Sequence, residues 1–239
     1  NDLIIDKSRP TILKKRYLVE NQKLFRVSKL KDHNISKIIE ERIIEKVNKS
    51  SGYYDAIIFS DFVYGLITEN LLNSLKNIAA KNNIALFGDL QCSSQVGSII
   101  RMKDFTLLCP NEREARIAMQ DKETGIEILS QKLINITKSE NLIMKSGSNG
   151  FIVYEKNGVK FNSQSFPALS VNPVDVTGAG DTLLSIMAVG IASGNSVMVS
   201  SAIACCACKI AVQTMGNNPI SPILLKTQIR NLLKDLWIF

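Results

Sequence analysis

One histidine, one tryptophan and five cysteines in 239 residues leave few of the side chains on which much enzyme chemistry rests. His33 is the lone histidine and lies in the polar stretch Lys31-Asp32-His33-Asn34. That argues against a histidine-based triad or a histidine metal site. Cys92, Cys109, Cys205, Cys206 and Cys208 contain no paired Cys-x-x-Cys, so a zinc site is not indicated. Five cysteines in a chain this long do not make a disulfide scaffold, and the odd count favours a reducing cytoplasm. The Cys-Cys-x-Cys cluster at 205–208 falls in an apolar helical pattern, where free thiols pack as small hydrophobes.

Long apolar runs are missing too. Leu183–Ala192 and Val197–Ala207 are the longest, both well short of the roughly 18 residues of a membrane span. No membrane association is expected, and the pair reads as two buried helices joined at Ser193-Gly194-Asn195-Ser196. There is no Gly-x-x-x-x-Gly-Lys-Ser/Thr string, so a P-loop is excluded. No aromatic-rich basic motif or recognition-helix signature is present, so no nucleic-acid partner is expected. The first residue is Asn1 and no apolar signal core follows it, so the chain reads as a processed product or a piece of a longer one.

What remains is ordinary globular material: 45% hydrophobic, 21% charged, enough to bury a sizeable core. The net charge of +7 is uneven, since residues 1–50 hold 13 Lys/Arg against 7 Asp/Glu, +6 of the total. A phosphorylated substrate or an acidic surface explains basicity placed there better than a nucleic acid does.

Residues 11–27 hold two β-like runs around Glu20-Asn21-Gln22 and read as a hairpin. Helical spacing follows over 35–50, 68–81, 111–119, 123–138 and 222–236. Short apolar strands fall at Ala56–Ser60, Ile84–Gly88, Phe105–Cys109 and Leu142–Lys145. Phe151–Glu155 and Val159–Asn162 flank the turn Lys156-Asn157-Gly158. Continuous apolar strands alternating with helices predict a mostly parallel sheet covered on both faces. Ligands in such sheets sit beyond the carboxyl ends of the strands. Functional weight therefore falls on Ser60-Asp61, Gly88-Asp89, Pro110-Asn111 and Lys145-Ser146-Gly147.

The most informative segment is Asp175-Val176-Thr177-Gly178-Ala179-Gly180-Asp181-Thr182, a loop of small residues that opens an apolar helix. Gly178 and Gly180 allow close backbone approach. The first helical amides lack internal partners and, with the helix dipole, attract an anion. Asp181 at that positive end is either a cap or a base aimed at the ligand.

The eight-residue string resembles the second signature of the ribokinase-like (PfkB) sugar kinases, Asp-x-Thr-Gly-Ala-Gly-Asp-Thr. The resemblance implies a three-layer α/β/α sandwich. It implies that the Gly178, Ala179 and Gly180 amides form the anion hole for the transferred phosphoryl group. Asp181 would be the base that takes the proton of the sugar hydroxyl. Pro110-Asn111-Glu112-Arg113-Glu114 resembles the family's Asn-x-x-Glu motif, which implies that Asn111 and Glu114 hold Mg²⁺ and phosphate through water. Lys145-Ser146-Gly147-Ser148-Asn149-Gly150 resembles the family's nucleotide loop, with Lys145 where Thr is usual. It assigns Lys145, Ser146, Gly147 and Gly150 to the nucleotide. Thr177 and Asn111 are assigned there too. Cys205, where many relatives carry Asn, and Gly216 join them around adenine. ATP and Mg²⁺ are the implied cofactors, with K⁺ left open.

Two further segments resemble heptose-7-phosphate kinases, the kinase half of bacterial ADP-heptose synthesis for lipopolysaccharide. Arg9-Pro10-Thr11-x-x-Lys14-x-Arg16 with Asn21-Gln22-x-Leu24-x-Arg26 matches their hairpin. Ser60-Asp61-Phe62-x-Tyr64-Gly65 matches a strand end. Lys14, Arg16, Arg26 and Asp61 thus become substrate residues. The expected reaction is phosphorylation of D-glycero-D-manno-heptose 7-phosphate to the 1,7-bisphosphate. Residues 1–30 are expected as a lid that also builds a homodimer, and 31–239 as the core. Asp89-Leu90-Gln91 departs from the relatives' Asp-Pro-Lys. The family's opening strand and Gly-Gly segment are not in this sequence, so a truncated or non-catalytic nucleotide-binding subunit of the same fold is the alternative.

Overall fold

Five of the helices begin on a side chain that closes their first turn, the last of them with Ser221 Oγ accepting the Leu224 amide at 3.2 Å. Ser36 Oγ accepts the Ile39 amide at the start of α1 (Lys37–Ser50). Thr68 Oγ1 does so for α2 (Glu69–Asn82), Asn111 for α3 (Glu112–Met119) and Ser196 for α6 (Val197–Val212). By contrast, α4 (Ile126–Thr137) and α5 (Ala179–Ala192) start on Gly125 and Gly178, which have no side chain to offer. The last helix, α7, spans Pro222–Leu236. The computed structural model describes residues 3–19, 22–92, 95–170 and 172–236.

These elements cluster into two compact units. The first comprises Asn1–Asp55, Asp61–Ile84 and Cys92–Val96. It contains the hairpin of β1 (Leu13–Val19) and β2 (Gln22–Lys29), antiparallel, with a register shift between Tyr17 and Leu18. It also contains α1 and α2. The buried Glu40 carboxylate of α1 accepts Thr68 Oγ1 and, at 2.6 Å, Asn70 Nδ2. One acid thereby joins the start of α2 to the first turn of α1.

The second unit comprises Ala56–Ser60, Ala85–Gln91 and Gly97–Phe239. The strands of the six-stranded sheet run in sequence order: β3 (Ala56–Asp61), β4 (Ala85–Leu90), β5 (Leu107–Leu108), β6 (Asn141–Lys145), β7 (Phe151–Asn157) and β8 (Lys160–Phe166). β4, β5 and β6 are parallel, and β6, β7 and β8 antiparallel. Successive residues of a strand face opposite sides. Val153 enters the apolar cluster with Leu183, Met187 and Ala204 of α5 and α6. Its neighbour Tyr154 bonds Ser130 of α4. The sheet therefore carries α4 on one face and α5 with α6 on the other, the layered α/β/α order expected of it.

Three boundaries differ from the sequence expectation. The helix expected over 123–138 starts at Ile126 because Asp121 Oδ1 accepts the amides of Glu123 and Thr124 and holds them in a turn. The strand expected over 105–109 keeps a ladder of two residues, although Thr106 and Cys109 still donate to the Leu86 and Gly88 carbonyls. β8 runs on to Phe166, which stacks on Phe151 at 5.3 Å. All five cysteines are free thiols. Among the described residues, no helix is long and apolar enough to cross a membrane.

Candidate functional site

Asp175 shapes the loop that leads into α5. Its Oδ1 accepts both the amide and the hydroxyl of Thr177, at 3.0 and 2.8 Å. Its Oδ2 accepts the Gly216 amide, and the Val174 and Asp175 amides bond the Val212 carbonyl. The loop is thus pinned to the end of α6. Gly178 follows at φ +82°, and a Cβ there would meet Asn217 Oδ1 at 2.3 Å. Only glycine fits that backbone and that approach. With Gly178 as N-cap, the first amides of α5 have no capping side chain, the arrangement in which a helix start can take an anion, while the Ala179 amide donates to the Val176 carbonyl at 3.3 Å.

Asp181 lies in the first turn of α5. Gln91, just past β4, donates its Nε2 to Asp181 Oδ1 at 3.3 Å. Two residues earlier, Asp89 is fully buried and accepts the Lys145 ammonium on both oxygens, at 2.8 and 2.9 Å. Lys145 ends β6, and its side chain is 17% exposed. Burial works against its charge, but Asp89 and then Glu114 outweigh that and hold its pKa above the ordinary lysine value. The pair borders the glycine loop: a Cβ on Gly180 would stand 3.6 Å from Lys145 Nζ and 3.8 Å from Asp89 Oδ2.

Asn111 and Glu114 lock each other in a capping box. Asn111 Oδ1 accepts the Glu114 amide and Glu114 Oε2 accepts the Asn111 amide, both at 2.8 Å. Asn111 also pairs with Lys145 through the backbone. Among the described residues no three His, Cys, Asp or Glu side chains gather around one point. The donor set here, one buried carboxylate and one amide, fits a magnesium ion that keeps its waters.

An open cleft of about 1080 Å³ adjoins these groups, lined by Asn111, Arg113, Lys145, Ser146, Asn149 and Ile152 among others. Its size suits a nucleotide. The turn 146–150 forms part of its wall: Ser146 N–H donates to the Gly150 carbonyl at 2.8 Å. Of the residues expected at a nucleotide, Asn111, Lys145 and Ser146 meet at this cleft. Gly147 and Gly150 belong to the same turn. Thr177 and Gly216 are engaged with Asp175 instead. The buried Cys205 thiol donates to the Pro167 carbonyl at 3.0 Å.

The first unit holds a separate set. The register places Arg16 directly opposite Arg26, and Lys14 opposite Ser28. With side chains alternating along a strand, Lys14, Arg16 and Arg26 share one hairpin face. The Lys14 ammonium stands 4.2 Å from the centre of the Phe62 ring and 5.3 Å from that of Tyr64. Those rings lie nearly parallel, 6.3 Å apart. Between them Val63 is held at φ +60°, its amide bonded to the buried Asp61 carboxylate at 2.8 Å. A β-branched residue rarely adopts that backbone, and such strain gathers at functional sites. The opposite hairpin face is exposed and mixed, with Tyr17 stacked on Phe25 at 4.5 Å beside Leu13 and Val27, and with Lys15, 5.0 Å from the Tyr17 ring centre, and Lys29 among them.

Sequence reasoning marked Asp89 only as a strand-end acid and gave no role to Gln91 or Asp175. Asp175 opens the motif and could have been read as an Asx turn two residues before Thr177. Asp89 and Lys145 are strand-end residues of opposite charge, a signal that proximity alone turns into a pair.

A family model described as "pfkB family carbohydrate kinase" matches residues 8–224. The bifunctional protein HldE of Sulfurimonas denitrificans is 28% identical over 228 residues, covering 92% of this chain and 45% of that protein. HldE of Geobacter sulfurreducens is 27% identical over 224 residues, 92% and 44% of the two chains. The chain thus spans less than half the length of these relatives. Among solved structures, Escherichia coli phosphofructokinase-2 in complex with substrates and products superposes with a TM-score of 0.74 at 15% identity, covering 93% of this chain and 70% of that one. Thermotoga maritima ribokinase gives 0.71 at 18%, covering 93% and 71%. The likeness in fold is ribokinase-like.

Proposed function

The chain belongs to the pfkB family of carbohydrate kinases, and we propose that it transfers the terminal phosphoryl group of ATP to a hydroxyl of a phosphorylated sugar. The observation that carries this reading is the start of α5. There a glycine-capped helix presents amides that no side chain caps, with a carboxylate in its first turn. Phosphoryl transfer requires an oriented nucleophile and stabilised equatorial oxygens. The amides of Gly178, Ala179 and Gly180 supply fixed donors for those oxygens. Asp181 takes the proton of the attacking hydroxyl, and Gln91 orients its carboxylate. The nucleotide lies in the cleft beside Asn111, Lys145 and Ser146. Kinases of this family work with a divalent metal, which offsets phosphate charge, and Asn111 and Glu114 would hold Mg²⁺ through water.

The sugar we propose is a heptose 7-phosphate. The hairpin and strand-end segments resemble heptose-7-phosphate kinases, and the HldE relatives favour the same reading. The facing Arg16 and Arg26 support a phosphorylated substrate. Two guanidiniums on one hairpin face can reach one phosphate together. We read residues 1–30 as a lid whose exposed face, around Tyr17 and Phe25, pairs with a second copy. A coupled ADP-release assay tests the function, with Mg·ATP and a panel of heptose 7-phosphate, fructose 6-phosphate and unphosphorylated sugars. Turnover confined to the phosphorylated sugars, heptose first, is expected. Turnover of free sugars alone would remove the assigned substrate class, and none with any sugar would remove the kinase reading.

A further inference from the structure

Lys145 is the residue that both lines the cleft and borders the glycine loop. Its ammonium cannot drift, because the fully buried Asp89 carboxylate holds it on both oxygens at 2.8 and 2.9 Å. Yet the side chain is not sealed off, being 17% exposed. A lysine whose purpose was to neutralise a buried acid could be covered completely. This one keeps part of its side chain exposed where it lines the cleft, and a Cβ on Gly180 would come within 3.6 Å of its nitrogen. An ammonium has three donors, so the two bonds to Asp89 leave one for an oxygen arriving from the cleft.

We propose that Lys145 is a catalytic residue of this chain, a fixed cation that contacts the phosphoryl group as it passes from nucleotide to sugar. The inference rests on the kinase reading of the site. In the step, the sugar hydroxyl oxygen forms a bond to the γ-phosphorus while the bond from that phosphorus to the β,γ-bridging oxygen breaks. The electron pair leaves on ADP and the hydroxyl proton goes to Asp181. Negative charge gathers on the equatorial and leaving oxygens, between the helix amides and the cleft. Lys145 supplies positive charge at that junction without having to reorganise, because Asp89 has already placed it.

Calorimetry with Mg·AMP-PNP and Mg·ADP separates contact with the terminal phosphate from general nucleotide binding. The proteins are wild type, Lys145→Met, Lys145→Arg and the double variant Asp89→Asn/Lys145→Met. The double variant removes both charges and carries the test if Lys145→Met does not fold. Lys145→Met and the double variant are expected to lose at least tenfold in AMP-PNP affinity and little in ADP affinity. Lys145→Arg is expected to keep the preference for AMP-PNP. In turnover, loss of the cation should lower kcat about 100-fold, the scale of one electrostatic donor. Equal affinities in all folded variants would overturn the proposal, as would equal losses for the two nucleotides or full kcat in the double variant. Wild-type protein that binds AMP-PNP but phosphorylates no sugar would overturn the kinase reading and leave the Lys145 contact to stand or fall on the binding data.

Discussion

Gln91 donates its side-chain amide to Asp181 at 3.3 Å, joining the end of β4 to the first turn of α5. The bond holds the carboxylate in one orientation beside the glycine loop. Asp181→Asn preserves the shape and removes the base, so kcat should fall by about 10²–10⁴. Gln91→Ala leaves the base but frees it to rotate, and should cost about tenfold in kcat. Steady-state kinetics on both proteins checks this. Equal kcat in Asp181→Asn and wild type would remove the assigned role.

How much of this was legible in the sequence depends on separation along the chain. The glycine loop and the Asn111–Glu114 box are local, so a few consecutive residues announce them. The elements around them were legible from apolar period. The Asp89–Lys145 pair spans 56 residues and crosses the intervening β5. Nothing local marks it; strand order alone brings the two ends together. Gln91 showed only as a departure from Asp-Pro-Lys, and its partner Asp181 lies 90 residues away. The stacked Phe62 and Tyr64 were quoted for their resemblance, but the lysine above them came from the hairpin's register.

Glu40 makes acid stability testable in the first unit. The Thr68 hydroxyl and then the Asn70 amide hold its carboxyl below the ordinary glutamate value. A depressed folded pKa means that the ionised form stabilises the fold. That contribution is fully present above the unfolded value, about 4.3, and disappears as pH falls through the lower folded value. Glu40→Gln should therefore melt lower than wild type at pH 7, with the gap narrowing below pH 4. Melting curves from pH 3 to 7 read this. A gap unchanged across the range would show that the ionised form is not what stabilises.

Gly150 ends the turn in the cleft wall at φ +85°, and a Cβ there would overlap the Phe166 carbonyl oxygen at 2.0 Å. Both the backbone conformation and the contact exclude a side chain. Gly150→Ala should cost roughly 3 kcal/mol and loosen the β7–β8 hairpin that Phe166 closes. Urea unfolding measures the loss. An unchanged midpoint would show that the turn can open without penalty.

The thiols offer a chemical probe of the α5–α6 layer. Burial pushes Cys205 up to about 11 and Cys208 up to about 12, and raises Cys109 as well. The thiolate is the reactive form, so native protein at pH 8 should react slowly with a disulfide reagent. Unfolding in guanidinium should release all five thiols at the rate of free cysteine. Rapid reaction of Cys205 in native protein would mean that α6 separates from the sheet.

Arg16 separates a binding role from a structural one. It faces Arg26 across the hairpin, so both guanidiniums can reach one phosphate. Its side chain is exposed, and Arg16→Gln should leave stability within about 0.5 kcal/mol of wild type. The same change removes a partner for the sugar's phosphate and should raise KM for the sugar phosphate about tenfold with kcat nearly unchanged. KM then moves while the melting temperature stays. A cation kept for the fold would instead lower the melting temperature and leave KM where it was, and that result would move the phosphate site off the hairpin.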